Sequence, residues 1–174
     1  MNKLDLLRVR RIDRIISTDD IIPGRYKHMF TDTSELAKHV FENIFPGLAE
    51  TLREGDVIIS STIFGIGSSR EQAVSSLLAA GVRAVIAPSF GRIFFRNAWN
   101  LGLIAIESAN VAAAEGDSIV IDLEAGEIGG PMRPTHFAPP PARMLEMVNE
   151  GGLLPLVAKR LATEANHKLG GRQQ

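Results

Sequence analysis

The sequence predicts an α/β fold in which a mainly parallel central sheet is flanked by helices and carries a small antiparallel β part. Three observations point to it. Apolar runs at 57–61, 83–87 and 103–106 alternate with segments of helical spacing at 71–80 and 90–101. That order of strand, helix, strand, helix, strand is expected of βαβ crossovers. Each helical segment closes on a glycine, Gly81 or Gly102, where a C-terminal cap belongs. Residues 117–123 instead alternate, with Ile119, Ile121 and Leu123 set against Val120, Asp122 and Glu124. The chain then turns at Ala125-Gly126 toward Ile128, the pattern of an antiparallel hairpin.

The remaining elements follow in order. Apolar positions between Leu4 and Ile16 are interleaved with charge, and a strand is predicted over 7–12. The polar residues 17–20 suit a loop, and Pro23-Gly24 marks a turn. Asp32 with Glu35 resembles a capping box, after which Leu36, Val40, Phe41 and Ile44 predict a helix that runs to Pro46-Gly47. Glu54-Gly55-Asp56 turns the chain into the first apolar strand. Three consecutive prolines, 139–141, form a stiff spacer before a helix carrying Met144, Leu145, Met147 and Val148, which stops at Gly151-Gly152. A last short helix spans 153–161. One domain is therefore expected over residues 1–162, with a polar C-terminal tail at 163–174.

Composition narrows the function. With 174 residues, 45% of them hydrophobic and 22% charged, the chain reads as one globular domain. A net charge of -1 gives no basic field, so nucleic acid is not an expected partner. The longest uncharged run, 57–69, is interrupted by Gly and Ser and falls short of the ~20 apolar residues that span a bilayer. No membrane association is expected. The first residues mix charge into what would have to be a signal sequence's apolar core, so a cytoplasmic location is expected. Cysteine is absent, which excludes disulfides, thiol nucleophiles and any cysteine-ligated iron–sulfur cluster held by this chain alone.

The most informative stretch is Gly65-Ile66-Gly67-Ser68-Ser69-Arg70-Glu71, between an apolar strand and a helix. Two glycines allow a sharp turn and a close backbone approach, and the serines can cap the following helix. Arg70 adds a planar fork of donors suited to a carboxylate or phosphate. The stretch is not a Walker A loop, since no Gly-Lys-Ser/Thr follows, nor a Rossmann fingerprint, since Arg70 stands at the third glycine position. As a pattern alone it fits an anion site and a merely well-capped helix equally. Other conspicuous residues take plainer readings. His39 reads as a surface or half-buried residue of the helix after Asp32, His136 belongs to a loop and His167 to the tail, and no two histidines are spaced as a metal pair. Trp99, Phe90, Phe94 and Phe95 read as core or subunit contact. Arg92 and Arg96 share one helix face, either solvated or at an interface.

Several ordered blocks carry a family resemblance. Residues 64–71, Gly81-Val82-Arg83-Ala84-Val85-Ile86-Ala87-Pro88-Ser89-Phe90 and Arg92-Ile93-Phe94 resemble the small subunit of 3-isopropylmalate dehydratase, the detached swivelling domain of the aconitase superfamily. Residues 18–26, 96–103 and the closing Glu150-Gly151-Gly152-Leu153 extend the match over roughly residues 15–160. The resemblance implies a swivelling β/β/α domain, with Ser68 as the base and with Ser69 and Arg70 holding substrate carboxylates. It also implies a large-subunit partner carrying a [4Fe–4S] cluster, with no cofactor bound by this chain. The family usually has Cys where Ile66 stands and His where Gln72 stands. The segment after Pro23 corresponds to the family's specificity loop, in which Arg25, Lys27 and His28 are further candidates for substrate binding.

The chemistry agrees with those roles. Dehydrating a hydroxy acid removes a weakly acidic proton beside a carboxylate while hydroxide departs. A serine alkoxide is basic enough, but it is scarce unless N–H groups and Arg70 stabilise it. Departure of hydroxide calls for a Lewis acid, for which this chain offers no ligand set, so another chain is expected to complete the site. The expected function is the small subunit of a hydro-lyase acting on a hydroxy di- or tricarboxylate, 3-isopropylmalate in leucine biosynthesis first of all. Homoaconitase-like and dimethylmalate dehydratase-like subunits are the nearest alternatives. A non-catalytic carboxylate-binding regulatory module is the alternative of another class. A homo-oligomer of the isolated chain is a further state to consider.

Overall fold

The computed structural model describes residues 2–30 and 32–170, and of Lys27, His28 and residues 166–170 only the backbone. Among the described residues seven strands form one sheet in the order β6-β5-β3-β1-β7-β8-β9. Its parallel half is built from β1 (Lys3–Arg11), β3 (Asp56–Ile59), β5 (Val82–Ala87) and β6 (Ile104–Glu107). The antiparallel half joins at β1 through β7 (Ser118–Asp122), β8 (Glu127–Gly129) and β9 (Thr135–His136). The predicted strand, helix, strand succession is thus present, and the hairpin belongs to the same sheet. β1 serves both halves, with Val9 beside Val57 on one side and Leu7 beside Ile119 on the other.

Burial explains which runs became strands. Val57, Ile58, Ala84, Val85, Ile86 and Ala87 are fully buried, as expected where helices cover a parallel sheet. Helices α4 (Gln72–Ala79) and α5 (Arg92–Leu101) supply the crossovers, and they close on Gly81 and Gly102, both left-handed with φ of 93° and 88°. Helix α6 (Ala142–Asn149) follows the three prolines, and α7 (Leu153–Gly170) closes the described chain. α7 is longer than the predicted short helix, since its backbone stays helical through the polar residues after Leu161. No helix among the described residues is long and apolar enough to cross a membrane.

Two segments differ from expectation. The polar quartet 17–20 is not a loop: Ser17 caps the short helix α1 (Thr18–Ile21). The Ser17 side chain accepts from the Asp20 N–H at 3.1 Å while Asp20 accepts from the Ser17 N–H at 2.8 Å, a capping box with Asp in place of Glu or Gln. The predicted long helix after Asp32 is only α2 (Thr33–Ala37), with a separate single turn, α3 (Leu48–Thr51), beyond Pro46-Gly47. Asp32 does cap it, accepting from the Ser34 N–H at 2.8 Å. The chain then tightens to bonds three residues back, from the His39 and Val40 N–H groups to Leu36 and Ala37, and turns away at Phe41, left-handed with φ 60°, whose N–H donates to the Ile21 carbonyl at 2.9 Å. Leu36, Val40 and Phe41 are buried all the same, so their helical spacing served burial through a run of turns.

One charged cluster lies inside this core. Asp56, 1% exposed, begins β3 and accepts from Arg8 Nε at 2.7 Å and Nη2 at 2.8 Å, and from the Arg53 N–H at 2.9 Å. Arg10, 8% exposed, stands 3.6 Å from the same carboxylate and bonds Glu115 at 2.7 Å. The pairing ties β1 to β3 at the start of the parallel half. Asp56→Ala takes the carboxylate from the half-buried Arg8, leaves Arg10 paired with Glu115 alone and frees the Arg53 N–H, so urea denaturation should show a loss of about 1.5–3 kcal/mol. Arg83→Ala, which breaks only an exposed pair with Glu54, should cost less than about 1 kcal/mol.

Candidate active site

A second, two-stranded sheet positions the site. β2 (Ile16–Ser17) runs parallel to β4 (Phe64–Ile66), with Ile16 beside Phe64 and Ser17 beside Ile66. β2 leads directly into α1 and β4 leads directly into loop 67–71. Because the strands are parallel, both connections leave from the same end, and Thr18 emerges beside Ser68.

The loop is fixed from below by close backbone packing. Gly65 is left-handed, φ 74°, and a Cβ there would stand 2.3 Å from Cγ of the buried Phe94 ring. A Cβ on Gly91 would stand 2.2 Å from the Gly65 carbonyl oxygen. The Gly91 N–H donates to the Phe64 carbonyl at 2.9 Å and the Phe64 N–H to the Ser89 carbonyl at 3.0 Å. The aromatic residues read as core do form it around this crossing: Phe90, Phe94 and Trp99 are buried, Phe64 meets Phe94 edge to face at 5.4 Å, and Phe95 is half-buried.

Above that floor, Ser68, Ser69, Arg70, Glu71 and Gln72, with Gly24 opposite, line an open cleft of about 420 Å³. Ser68 and Ser69 are exposed and Arg70 is half-buried. The Ser68 N–H donates to Thr18 Oγ1 at 3.1 Å, and the two hydroxyl oxygens stand 3.2 Å apart. Asn97 of α5 donates to the Ser69 carbonyl at 3.4 Å. Arg70 Nη1 pairs with Asp19 at 2.5 Å and donates to the Ile22 carbonyl at 3.3 Å. A Cβ on Gly24 would stand 3.3 Å from Arg70 Nη2, so the guanidinium packs close against that glycine. The serines do not cap α4. Glu71 occupies its N-cap position, and no side chain there makes a capping bond.

The structure thus brings Ser68, Ser69 and Arg70 together, and adds Thr18, Asp19 and Asn97. The sequence signal for Thr18 and Asp19 lay in the Ser17–Asp20 capping-box spacing. Arg25 is engaged elsewhere. It ion-pairs with Glu42, donates to Asn43 at 3.2 Å and lies 4.7 Å over the Tyr26 ring. The expected contacts of the Lys27 and His28 side chains lie outside the described residues.

Glu42 is the hub of this second cluster. It accepts from Tyr26 Oη at 2.9 Å and meets His39 Nδ1 at 2.5 Å, while His39 stacks on Tyr26 with ring centroids 4.0 Å apart. His39 is half-buried and bonded, in a turn after α2 rather than on a helix. The cluster clamps the 3-10 turn at Gly24–His28 to the turns after α2. The hydrogen bond with His39, with further bonds from Tyr26 and Arg25, holds the Glu42 carboxyl below its ordinary 4.5 against the opposing effect of desolvation.

Residues 10–111 of the chain match the family described as the aconitase C-terminal domain. A 3-isopropylmalate dehydratase small subunit from Moorella thermoacetica is 45% identical over 152 residues, 85% of this chain and 91% of the relative. A methanogen homoaconitase small subunit from Methanothermobacter thermautotrophicus is 44% identical over 90% of this chain and 92% of its own. The crystal structure of 3-isopropylmalate dehydratase from Methanocaldococcus jannaschii is similar at a TM-score of 0.86 and 37% identity, over 95% of this chain and 99% of the other.

Two outcomes follow from this geometry. Gly91→Ala forces a Cβ onto the Gly65 carbonyl, so it should lower the melting temperature by several degrees or more, an overpacking cost of about 1–3 kcal/mol or above. The Glu42 contribution has the sign of a depressed carboxylate: it is present above the ordinary 4.5 and is lost as pH falls through the lower folded value. The difference in urea midpoint between wild type and Glu42→Gln should accordingly be larger at about pH 6 than at about pH 3.5.

Proposed function

The chain belongs to the aconitase C-terminal domain family, and from that membership we propose that it is the small subunit of a heteromeric hydro-lyase acting on a hydroxy di- or tricarboxylate. 3-Isopropylmalate, in leucine biosynthesis, is the first substrate to consider. The observation that carries the reading is the convergence of Ser68, Ser69 and Arg70 on one cleft, with the Ser68 amide and hydroxyl both in reach of Thr18. Three roles are assigned. Ser68, as the alkoxide, takes the proton from the carbon next to a substrate carboxylate and becomes a neutral hydroxyl again. The Ser69 hydroxyl donates to a carboxylate, and Arg70 offers it the N–H groups of its guanidinium not turned to Asp19.

The chain has no cysteine, and among its described residues no cluster of acidic groups and histidines could hold a metal ion. Its residues therefore do not fit an iron–sulfur cluster. We place the cluster on a large subunit, where it would act as Lewis acid toward the departing hydroxide. The relatives' small-subunit names support a larger partner, and the open, exposed cleft fits a surface that a second chain covers. A cytoplasmic location is the accompanying expectation. Arg25 is assigned to anchoring the specificity loop through Glu42, and Lys27 and His28 remain candidates for the distal end of the substrate.

A second substrate reading has its own support. The relative named methanogen homoaconitase small subunit reaches nearly the same identity as the Moorella thermoacetica relative named for 3-isopropylmalate, 44% against 45%. A dimethylmalate-type acid is the third member of the panel. The deciding experiment is reconstitution with the cognate large subunit and measurement of the unsaturated acid formed from 3-isopropylmalate, homocitrate and dimethylmalate. Turnover should appear with one of them and fall by about 10²–10⁴ in Ser68→Ala with assembly intact. Arg70→Lys should raise KM more than it lowers kcat, because a bidentate fork is replaced by a point charge. Carboxylate binding by the chain with no turnover in any reconstituted complex would establish the regulatory-module alternative instead.

A further inference from the structure

Thr18 is fully buried, yet its hydroxyl does not serve the core. It accepts the Ser68 N–H at 3.1 Å and stands 3.2 Å from Ser68 Oγ. Ser68 itself is exposed, so water could satisfy its N–H, and a buried threonine is not required for that purpose. A hydroxyl oxygen that accepts from an N–H still has its own hydrogen to direct, and Ser68 Oγ is within its reach. Everything around Thr18 holds it there. The Ser17–Asp20 capping box fixes its turn of helix, the β2–β4 pairing fixes its height, and left-handed Gly67, φ 105°, brings the loop down onto it.

We propose that Thr18 is the positioning residue of the base. It accepts the Ser68 N–H and donates its own O–H to Ser68 Oγ, which sets the serine side chain and favours its anion. The inference rests on the reading of Ser68 as base. An alkoxide has only acceptor capacity, so the Thr18 hydrogen is committed to it in that state, and the bond becomes charge-assisted. Hydrogen bonding to the charged form lowers the pKa of the group that carries it. No atom of Thr18 is transferred. On ionisation the Ser68 proton passes to water, and in the reaction Ser68 Oγ regains a proton from substrate carbon while Thr18 keeps its own.

The test uses the reconstituted complex with Thr18→Val, which keeps the shape and removes the hydroxyl, and Thr18→Ser, which keeps the hydroxyl. In Thr18→Val, kcat should fall by about ten- to a hundredfold, the range for one hydrogen bond to a charged group, with KM little changed. The rise of kcat with pH should move to higher pH, and Thr18→Ser should restore both rate and profile. Independently of activity, hydrogen exchange at the Ser68 amide should quicken in Thr18→Val and not in Thr18→Ser. Wild-type kcat and pH profile in Thr18→Val would overturn the proposal, as would an equal loss in both variants. Should Thr18→Val not assemble, Thr18→Ser and Thr18→Ala differ by the hydroxyl alone, and equal rates in that pair would also overturn it. Ser68→Ala separates the two readings. If that variant is active, the base assignment itself fails; if it is dead while Thr18→Val is unimpaired, only the role of Thr18 fails.

Discussion

The site depends on a parallel pairing only a few residues long. β2 and β4 are too short to contribute much as a sheet, but they send two connections out side by side, one beginning at Thr18 and the other carrying Ser68. That pairing holds because the backbone beneath it has nowhere to go. The Gly65 carbonyl presses on Gly91, and the Phe94 ring lies against Gly65 where any side chain would clash. The loop's chemistry is therefore set by contacts a residue or two before it, in a region with no polar function of its own.

The larger sheet plays a different part. Its parallel half is buried on both faces and supplies the rigid body from which α4 and α5 project. α5 contributes to both levels of the site, with Phe94 under Gly65 and Asn97 holding the Ser69 carbonyl. Asp56 and its arginines sit at the start of β3, while the cleft lies beyond β4, further along the chain. The charged cluster in the core and the charged residues at the cleft are thus separate systems.

Much of this was legible in the sequence. The buried strands and the two glycine-capped helices announce themselves through apolar runs and the punctuation of Gly81 and Gly102, because tertiary burial and local propensity agree there. The co-location of Ser68, Ser69 and Arg70 follows from adjacency. What could not be read is long-range. Leu36, Val40 and Phe41 have helical spacing, but a hydrogen bond to Ile21 pulls Phe41 into a left-handed turn. No local pattern foretells that. Thr18 looked like part of a polar loop because Asp20, rather than Glu, completes its capping box. Its relation to Ser68, fifty positions away, exists only once β2 and β4 pair. Arg25 stood beside the right turn, but Glu42 claims its charge.

Arg70 is already balanced. Its guanidinium faces Asp19 across 2.5 Å, so the cleft of the lone chain presents a dipole rather than an unspent positive charge. The field of such a pair fades within a few ångströms, and physiological salt damps it further. Organic acids drifting past this polypeptide by itself should feel little pull. Attraction would then act at contact, through the guanidinium hydrogens not turned to Asp19, rather than at a distance.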